Sequence, residues 1–332
     1  MTAVAVLGAG SWGTTLADLL ARKGHTVRLW AYEAEVAAAV ATRHENPLYL
    51  PGCPLAASLT ATENPVQACQ GAEVIVTVAP SHAVRQVVQQ ARPGIAADAI
   101  LVSATKGIEP DTLEFMSAVL RECLPGRAVA VLSGPSFALE VYQQQPTAVV
   151  AAAEAEETAL AVQGVFSTPR FRVYSNRDVV GVELSGAIKN VIAIAAGILE
   201  GLGLGHNPRA ALITRGLAEM TRLGLAMGAN PLTFAGLAGM GDLILTSTGA
   251  LSRNRTLGTA LAGGVTLAEY TATHRSVAEG VNTARAALEL ATRRNVELPI
   301  CAQVASILFD GKPPRQAVAD LMERALKSEQ WR

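Results

Sequence analysis

Four groups of residues in this 332-residue sequence have the types and spacing to do chemistry. The first is Gly8-Ala9-Gly10-Ser11-Trp12-Gly13, a Gly-x-Gly-x-x-Gly run directly behind the apolar residues 4–7. Gly8 permits a tight turn, Gly10 lets the backbone approach a pyrophosphate, and Gly13 lets helix and strand pack closely. The N–H groups of the helix that opens at Ser11 and Trp12 would then face the anion. A strand-like run at 26–31 follows and leads into Tyr32-Glu33, so the context predicts dinucleotide binding over a merely structural turn. Glu33 stands twenty residues after Gly13, the spacing at which an acid meets the adenosine ribose of NAD and repels the 2′-phosphate of NADP. Arg28 alternates to the other side of its strand, and no basic residue intervenes before Arg43 to compensate. The rival reading is a surface glutamate starting the next helix, with Glu35 nearby.

The other three groups are charges in apolar surroundings or at element ends. Lys189 is the only charged residue between Glu183 and Glu200, and Asp242 the only one between Arg222 and Arg253. A lone buried ion is costly unless it is paired or its pKa moves. A lysine on an apolar helix can snorkel to the surface, but Gly186 and Asn190 beside Lys189 point to a crowded polar pocket. Asp242 follows Gly241, so a helix N-cap and a site residue stand equal. Lys106, before Gly107, ends the strand-like residues 99–104, where an open α/β sheet holds its ligand; a solvated loop lysine is the alternative. Ser252-Arg253-Asn254 joins an N-cap, a guanidinium and an amide at a helix start, which suits a phosphate. From the residues alone an ordinary cap with a surface arginine is the safer reading.

The elements that must position these groups fall into two halves. Strand signals at 72–78, 99–104, 128–132, 148–152 and 171–174 alternate with helical ones at 34–43, 81–91 and 111–123, and the turn Gly134-Pro135-Ser136 opens another helix. Residues 44–54 read as a loop. Alternation of this kind predicts an α/β domain with a doubly wound, Rossmann-type parallel sheet over 1–177. Strand signals then stop, and helical periodicity at 179–201, 207–227, 252–261, 279–294, 302–309 and 315–327 predicts an all-α domain over 178–332.

Composition narrows the class. The chain is 50% hydrophobic and 17% charged with a net charge of -1 and no basic block, which argues against disorder and against nucleic acid. Cys53, Cys69, Cys123 and Cys301 form no CxxC pair and the five histidines are dispersed, so neither a disulfide frame nor a metal site is expected. The first strand starts almost at Met1, which predicts no signal peptide. The uncharged window 223–241 is broken by Asn230-Pro231 and five glycines, so no membrane insertion is expected. A cytoplasmic enzyme fits these features.

The motifs 8–13 (GAGSWG), 103–110 (SATKGIEP), 132–137 (LSGPSF), 182–190 (VELSGAIKN), 210–217 (AALITRGL), 239–243 (GMGDL) and 252–255 (SRNR) occur in that order. Together they resemble the bacterial NAD(P)-dependent glycerol-3-phosphate dehydrogenases over essentially the whole chain. The resemblance implies interconversion of dihydroxyacetone phosphate and sn-glycerol 3-phosphate, supplying phospholipid synthesis. It also implies Lys189 as acid/base and substrate contacts at Lys106, Gly134, Ser136, Asp242, Ser252, Arg253 and Asn254. Cofactor contacts are implied at Ser11, Trp12, Lys106, Ala138, Arg253, Val277 and Glu279, and Tyr32, Glu33 and Tyr49 are assigned to the same side. The departure is Tyr32-Glu33, where NADP-preferring members often carry a basic residue; NAD is therefore the expected preference of the two cofactors. A homodimer is a further expectation, open from sequence. The rival classes are a β-hydroxyacid or ketopantoate reductase and a non-catalytic dinucleotide sensor.

Overall fold

A computed structural model describes residues 1–274, 278–326 and 328–329. Its first half is an eight-stranded sheet of β1 (Ala3–Leu7), β2 (Thr26–Trp30), β3 (Thr60–Thr62), β4 (Val74–Thr77), β5 (Ile100–Ser103), β6 (Val129–Ser133), β7 (Thr147–Ala152) and β8 (Phe171–Asn176). The strand order is β3-β2-β1-β4-β5-β6-β7-β8. Every residue of β4 and β6 is buried, as a sheet covered on both faces demands. Val4 and Val6 pack with Leu16, Leu20, Val36 and Val40 on one face, while Ala5 and Leu7 pack with Val84, Val88 and Met116 on the other. The chain reverses its direction of winding between β1 and β4, both of which lie parallel. That switch point opens a crevice beyond the strands' carboxyl ends.

Three sequence expectations need correction. The sheet is not wholly parallel, because β6 and β7 run antiparallel. Their connection holds only the five-residue helix Ala138–Tyr142. Such a helix spans roughly 7.5 Å, against the roughly 17 Å of strand it would have to return along. The helix expected at 111–123 is confined to Met116–Cys123. Leu113 takes a left-handed φ of 63°, and Ile108 and Phe115 form an antiparallel bridge. The apolar spacing there serves docking instead, since Ile108, Leu113 and Phe115 are buried in the core of the helical half. The last helix, expected to reach 327, closes at Met322, and residue 327 lies outside the described residues. The short strand Thr60–Thr62 and the helices Pro65–Cys69 and Glu156–Phe166 gave no signal that the sequence reading used.

The second half is built on the helix Val179–Gly201, entered through Asp178, whose Oδ1 accepts from the Gly181 amide at 2.9 Å. The helix is apolar nearly all round, so it must be buried on all sides. It is long and apolar enough to cross a membrane, but 89% of its most apolar window is buried inside the fold. Around it pack His206–Ala226, Asp242–Thr248, Arg253–Ala262, Glu279–Arg293 and Pro299–Phe309. The contact with Arg253–Ala262 is backbone to backbone: a Cβ on Gly197 would lie 1.9 Å from the Arg255 carbonyl oxygen, and one on Gly258 2.0 Å from that of Ile194.

Candidate active site

The glycine run forms the turn after β1. Gly8 holds φ at 122°, and a Cβ there would meet the Ala79 amide nitrogen at 2.8 Å; a Cβ on Gly13 would lie 1.8 Å from the Gly8 carbonyl oxygen. A Cβ on Gly10 would meet nothing within 4 Å. Two glycines are thus demanded by packing and the third faces open space. Helix Ser11–Arg22 starts there with Gly10 as a cap residue that offers no side chain to its amides. The indole Nε1 of Trp12 is buried without a partner. Uncapped amides and an orphaned donor beside an open glycine fit a dinucleotide pyrophosphate. Ala138 is brought alongside, its carbonyl accepting from the Thr15 hydroxyl at 3.2 Å.

Glu33, the acid expected at the ribose, is half-buried as the cap residue of helix Ala34–Arg43, yet its side chain caps nothing. Its Oε1 accepts from the Tyr49 hydroxyl at 2.6 Å. Tyr32 is 83% exposed, so it does not displace Glu33 from this position. Arg28 is turned away, donating to the Gln67 carbonyl at 2.6 Å.

Lys106, Lys189 and Asp242 converge between the two halves. Asp242 is buried, and its carboxylate divides between two ammonium groups: Oδ2 lies 2.7 Å from Lys106 Nζ and Oδ1 3.1 Å from Lys189 Nζ. It is therefore not an N-cap. The π-helical turn Leu237–Gly241 runs straight into helix Asp242–Thr248, and a wide turn of this kind re-aims the residues that follow it. Lys189 is 6% exposed, so it does not snorkel. Its Nζ donates to the Thr246 hydroxyl at 2.7 Å, and that hydroxyl donates to Asp242 Oδ1 at 3.1 Å. Burial lowers the Lys189 pKa to about 8, with Lys106 and Arg253 pushing the same way and Asp242 opposing. Burial alone would raise Asp242, but the two lysines hold it below its usual range. Lys106 also donates to the Gly134 carbonyl at 2.7 Å, which the Ser136 hydroxyl reaches at 3.0 Å. Gly186 leaves room for this group: a Cβ there would sit 2.9 Å from Ser133 Oγ and 3.5 Å from Lys106 Cγ.

The residues expected at a phosphate open helix Arg253–Ala262. Ser252 caps it, its hydroxyl accepting from the Arg255 amide at 3.2 Å. Asn254 is buried and engaged, donating to Asn190 Oδ1 at 2.9 Å and accepting from the Gly280 amide at 3.0 Å, so one Nδ2–H remains for a ligand. The Arg253 side chain is exposed. Glu279, expected to touch the cofactor, binds across the halves, accepting from the Ser81 amide at 3.0 Å and hydroxyl at 2.6 Å. Val277 lies outside the described residues. The sequence reading missed Thr246, Ser81 and Asn46. Thr246 was discoverable, four residues after Asp242 and so on the same helix face; Ser81 opens the helical stretch at 81–91, where nothing marks its distant partner, and Asn46 sits in a loop with no periodic signal.

Comparison with known proteins follows this geometry closely. Residues 3–159 match a family model described as the NAD-dependent glycerol-3-phosphate dehydrogenase N-terminus, and residues 178–319 match the C-terminus of the same family. The chain is 57% identical over 331 residues to the NAD(P)+ glycerol-3-phosphate dehydrogenase of Geobacter sulfurreducens, covering 99% of each. It is 51% identical to that of Myxococcus xanthus, covering 98% of each. Among solved structures, the glycerol-3-phosphate dehydrogenase of Coxiella burnetii matches with a TM-score of 0.94 at 41% identity, over 97% of this chain and 99% of that one. A ketopantoate reductase from Ralstonia eutropha shares the fold with a TM-score of 0.58 at 15% identity, over 97% of this chain and all of that one.

Proposed function

We infer the roles of the site residues from one premise, that this chain belongs to the NAD-dependent glycerol-3-phosphate dehydrogenase family. It is an oxidoreductase interconverting dihydroxyacetone phosphate and sn-glycerol 3-phosphate with NAD or NADP. The dinucleotide, when bound, supplies or removes the hydride at the substrate's C2. Gly8, Gly10, Ser11, Trp12 and Gly13 would hold its pyrophosphate, and Glu33, carried by Tyr49, its adenosine ribose. Lys189 as ammonium polarises the ketone and donates the proton that the forming alkoxide needs; its neutral amine takes that proton back in the oxidation. Asp242 keeps Lys189 aimed through one oxygen and Lys106 through the other, while Gly134 and Ser136 shape the wall beside Lys106. Arg253 and the free Nδ2–H of Asn254, at the capped helix start, hold the phosphate and fix the reacting carbon.

The observation that carries this reading is the buried carboxylate shared by two lysines, one of them with its pKa near the working range. Lys189→Ala tests it. Turnover of dihydroxyacetone phosphate should fall by about a hundredfold or more, with NADH affinity held within about threefold as a fluorescence titration reads it. Turnover within tenfold of the parent would remove Lys189 from the proton transfer. The held carboxylate at Glu33 supports a preference for NADH, and the four buried free thiols support a reducing, cytoplasmic location. The run of structure supports a division near residue 178, where Asp178 caps the core helix. Glycerol phosphate made here would feed glycerophospholipid synthesis.

A further inference from the structure

Asn46 lies in the irregular segment between helix Ala34–Arg43 and β3, away from both the glycine run and the reacting centre in sequence, yet it is wholly buried. Both of its side-chain N–H donors and its amide oxygen are engaged. Its Nδ2 donates to the Ala9 carbonyl at 2.8 Å and to the Thr14 hydroxyl at 2.8 Å, and its Oδ1 accepts from the Tyr49 amide at 3.0 Å. The amide's orientation is forced, because Ala9 offers only an acceptor and Tyr49 only a donor at these contacts. Thr14 supports the same carbonyl, its hydroxyl donating to it at 3.1 Å.

We propose that Asn46 is a positioning residue that fixes the Ala9–Gly10 peptide so that the Gly10 N–H faces the pyrophosphate. The reason is the planarity of the trans peptide, in which C=O and N–H point in opposite directions. With the Ala9 oxygen held inward by Asn46 and Thr14, the Gly10 N–H has to point outward. Glycine at position 10 makes this control necessary, since no side chain restricts the rotation of its backbone and a Cβ there would meet nothing. Asn46 also ties this peptide to the ribose end, because the Tyr49 it holds by the backbone carries Glu33 on its hydroxyl. Pyrophosphate and ribose contacts are therefore set in one frame by a residue that touches neither. The inference rests on reading the glycine run as the pyrophosphate site.

Asn46→Asp separates this role from a general structural one. Aspartate is nearly isosteric and still accepts from the Tyr49 amide, but it has no donor and sets a carboxylate against the Ala9 oxygen. Titration with NADH and with NADPH should show both dissociation constants raised at least tenfold, with the KM for dihydroxyacetone phosphate within twofold of the parent. Tyr49→Phe, which removes the hydroxyl that donates to Glu33, should weaken NADH at least threefold and leave NADPH within twofold. Should Asn46→Asp fail to fold, Thr14→Val removes the second donor to the same carbonyl, and NADH binding should weaken at least threefold. Unchanged cofactor affinity in whichever of these two variants folds, with only a lower thermal midpoint, would overturn the role of Asn46. A parent that bound neither cofactor would instead sink the dinucleotide reading itself.

Discussion

Lys189 shows how a single residue's surroundings set its chemistry. An ammonium in water titrates near 10.5; burial brings this one to about 8. The acid form needed for ketone reduction is present below that value, so kcat for reduction should fall as pH rises through about 8, while kcat for the oxidation rises over the same interval. Asp242→Asn removes the one influence that raises the Lys189 pKa. The alkaline limb of the reduction profile should then move to lower pH, and a limb that stayed in place would detach Asp242 from the proton. At the other end of the cleft, Glu33→Arg would exchange the proposed ribose acceptor for a phosphate partner. The ratio of kcat/KM for NADH over NADPH should drop by about one to two powers of ten, roughly 1.4–2.8 kcal/mol. Parallel kinetics with both cofactors on parent and variant check it, and an unmoved ratio would make Glu33 a surface residue.

Helices carry these residues into register, and their close approach depends on missing side chains. The helix with Lys189 and Asn190 and the helix with Arg253 and Asn254 cross where Gly197 and Gly258 let backbone touch backbone. The Asn190–Asn254 bond forms only at that spacing. Gly258→Ala would drive a Cβ to 2.0 Å from the Ile194 carbonyl oxygen, which is backbone and cannot swing aside. Overpacking of this kind costs about 1–3 kcal/mol, and forcing the helices apart would withdraw Arg253 from the phosphate-holding position proposed for it. A lower denaturation midpoint together with a raised KM for dihydroxyacetone phosphate is expected. A KM unchanged beside a lower midpoint would show that the crossing serves stability alone.

Across the whole molecule the two halves are joined by polar contacts buried in an apolar setting. Glu183 in the core helix accepts from the amide and hydroxyl of Ser117, at 2.8 and 2.5 Å, on a helix of the sheet half. Burial raises its pKa to about 7, and that of Glu219, which binds the Ile300 and Cys301 amides, also to about 7. A carboxyl with a folded pKa above its unfolded value of about 4.5 holds its proton more firmly in the native state. Each such group therefore stabilises most on the acid side and loses that contribution as pH rises from about 4.5 to 7. Glu183→Gln keeps an acceptor and a donor for Ser117 without the titration. Its thermal midpoint relative to the parent should rise between about pH 5 and pH 8, and a constant difference would mean that Glu183 does not titrate there.

Much of this protein was legible in the chain. The glycine run, the alternation of strands and helices, the change to continuous helix after 178 and the isolated Lys189 and Asp242 are local patterns, and local sterics, periodicity and the cost of a bare buried charge decide them. Gly8 and Gly13 were readable because backbone geometry allows no other residue there. What the sequence left open was decided by packing between segments distant in the chain. Whether Asp242 capped a helix or bridged Lys106 and Lys189 depended on a π-helical turn that no spacing announced. The antiparallel β7, the docking of residues 108–115 into the helical core, the engagement of Glu279 by Ser81 and the reach of Asn46 to Ala9 all join partners far apart in sequence. A hydrogen bond or a buried contact of that kind has no period, so only the closing of the tertiary structure selects it.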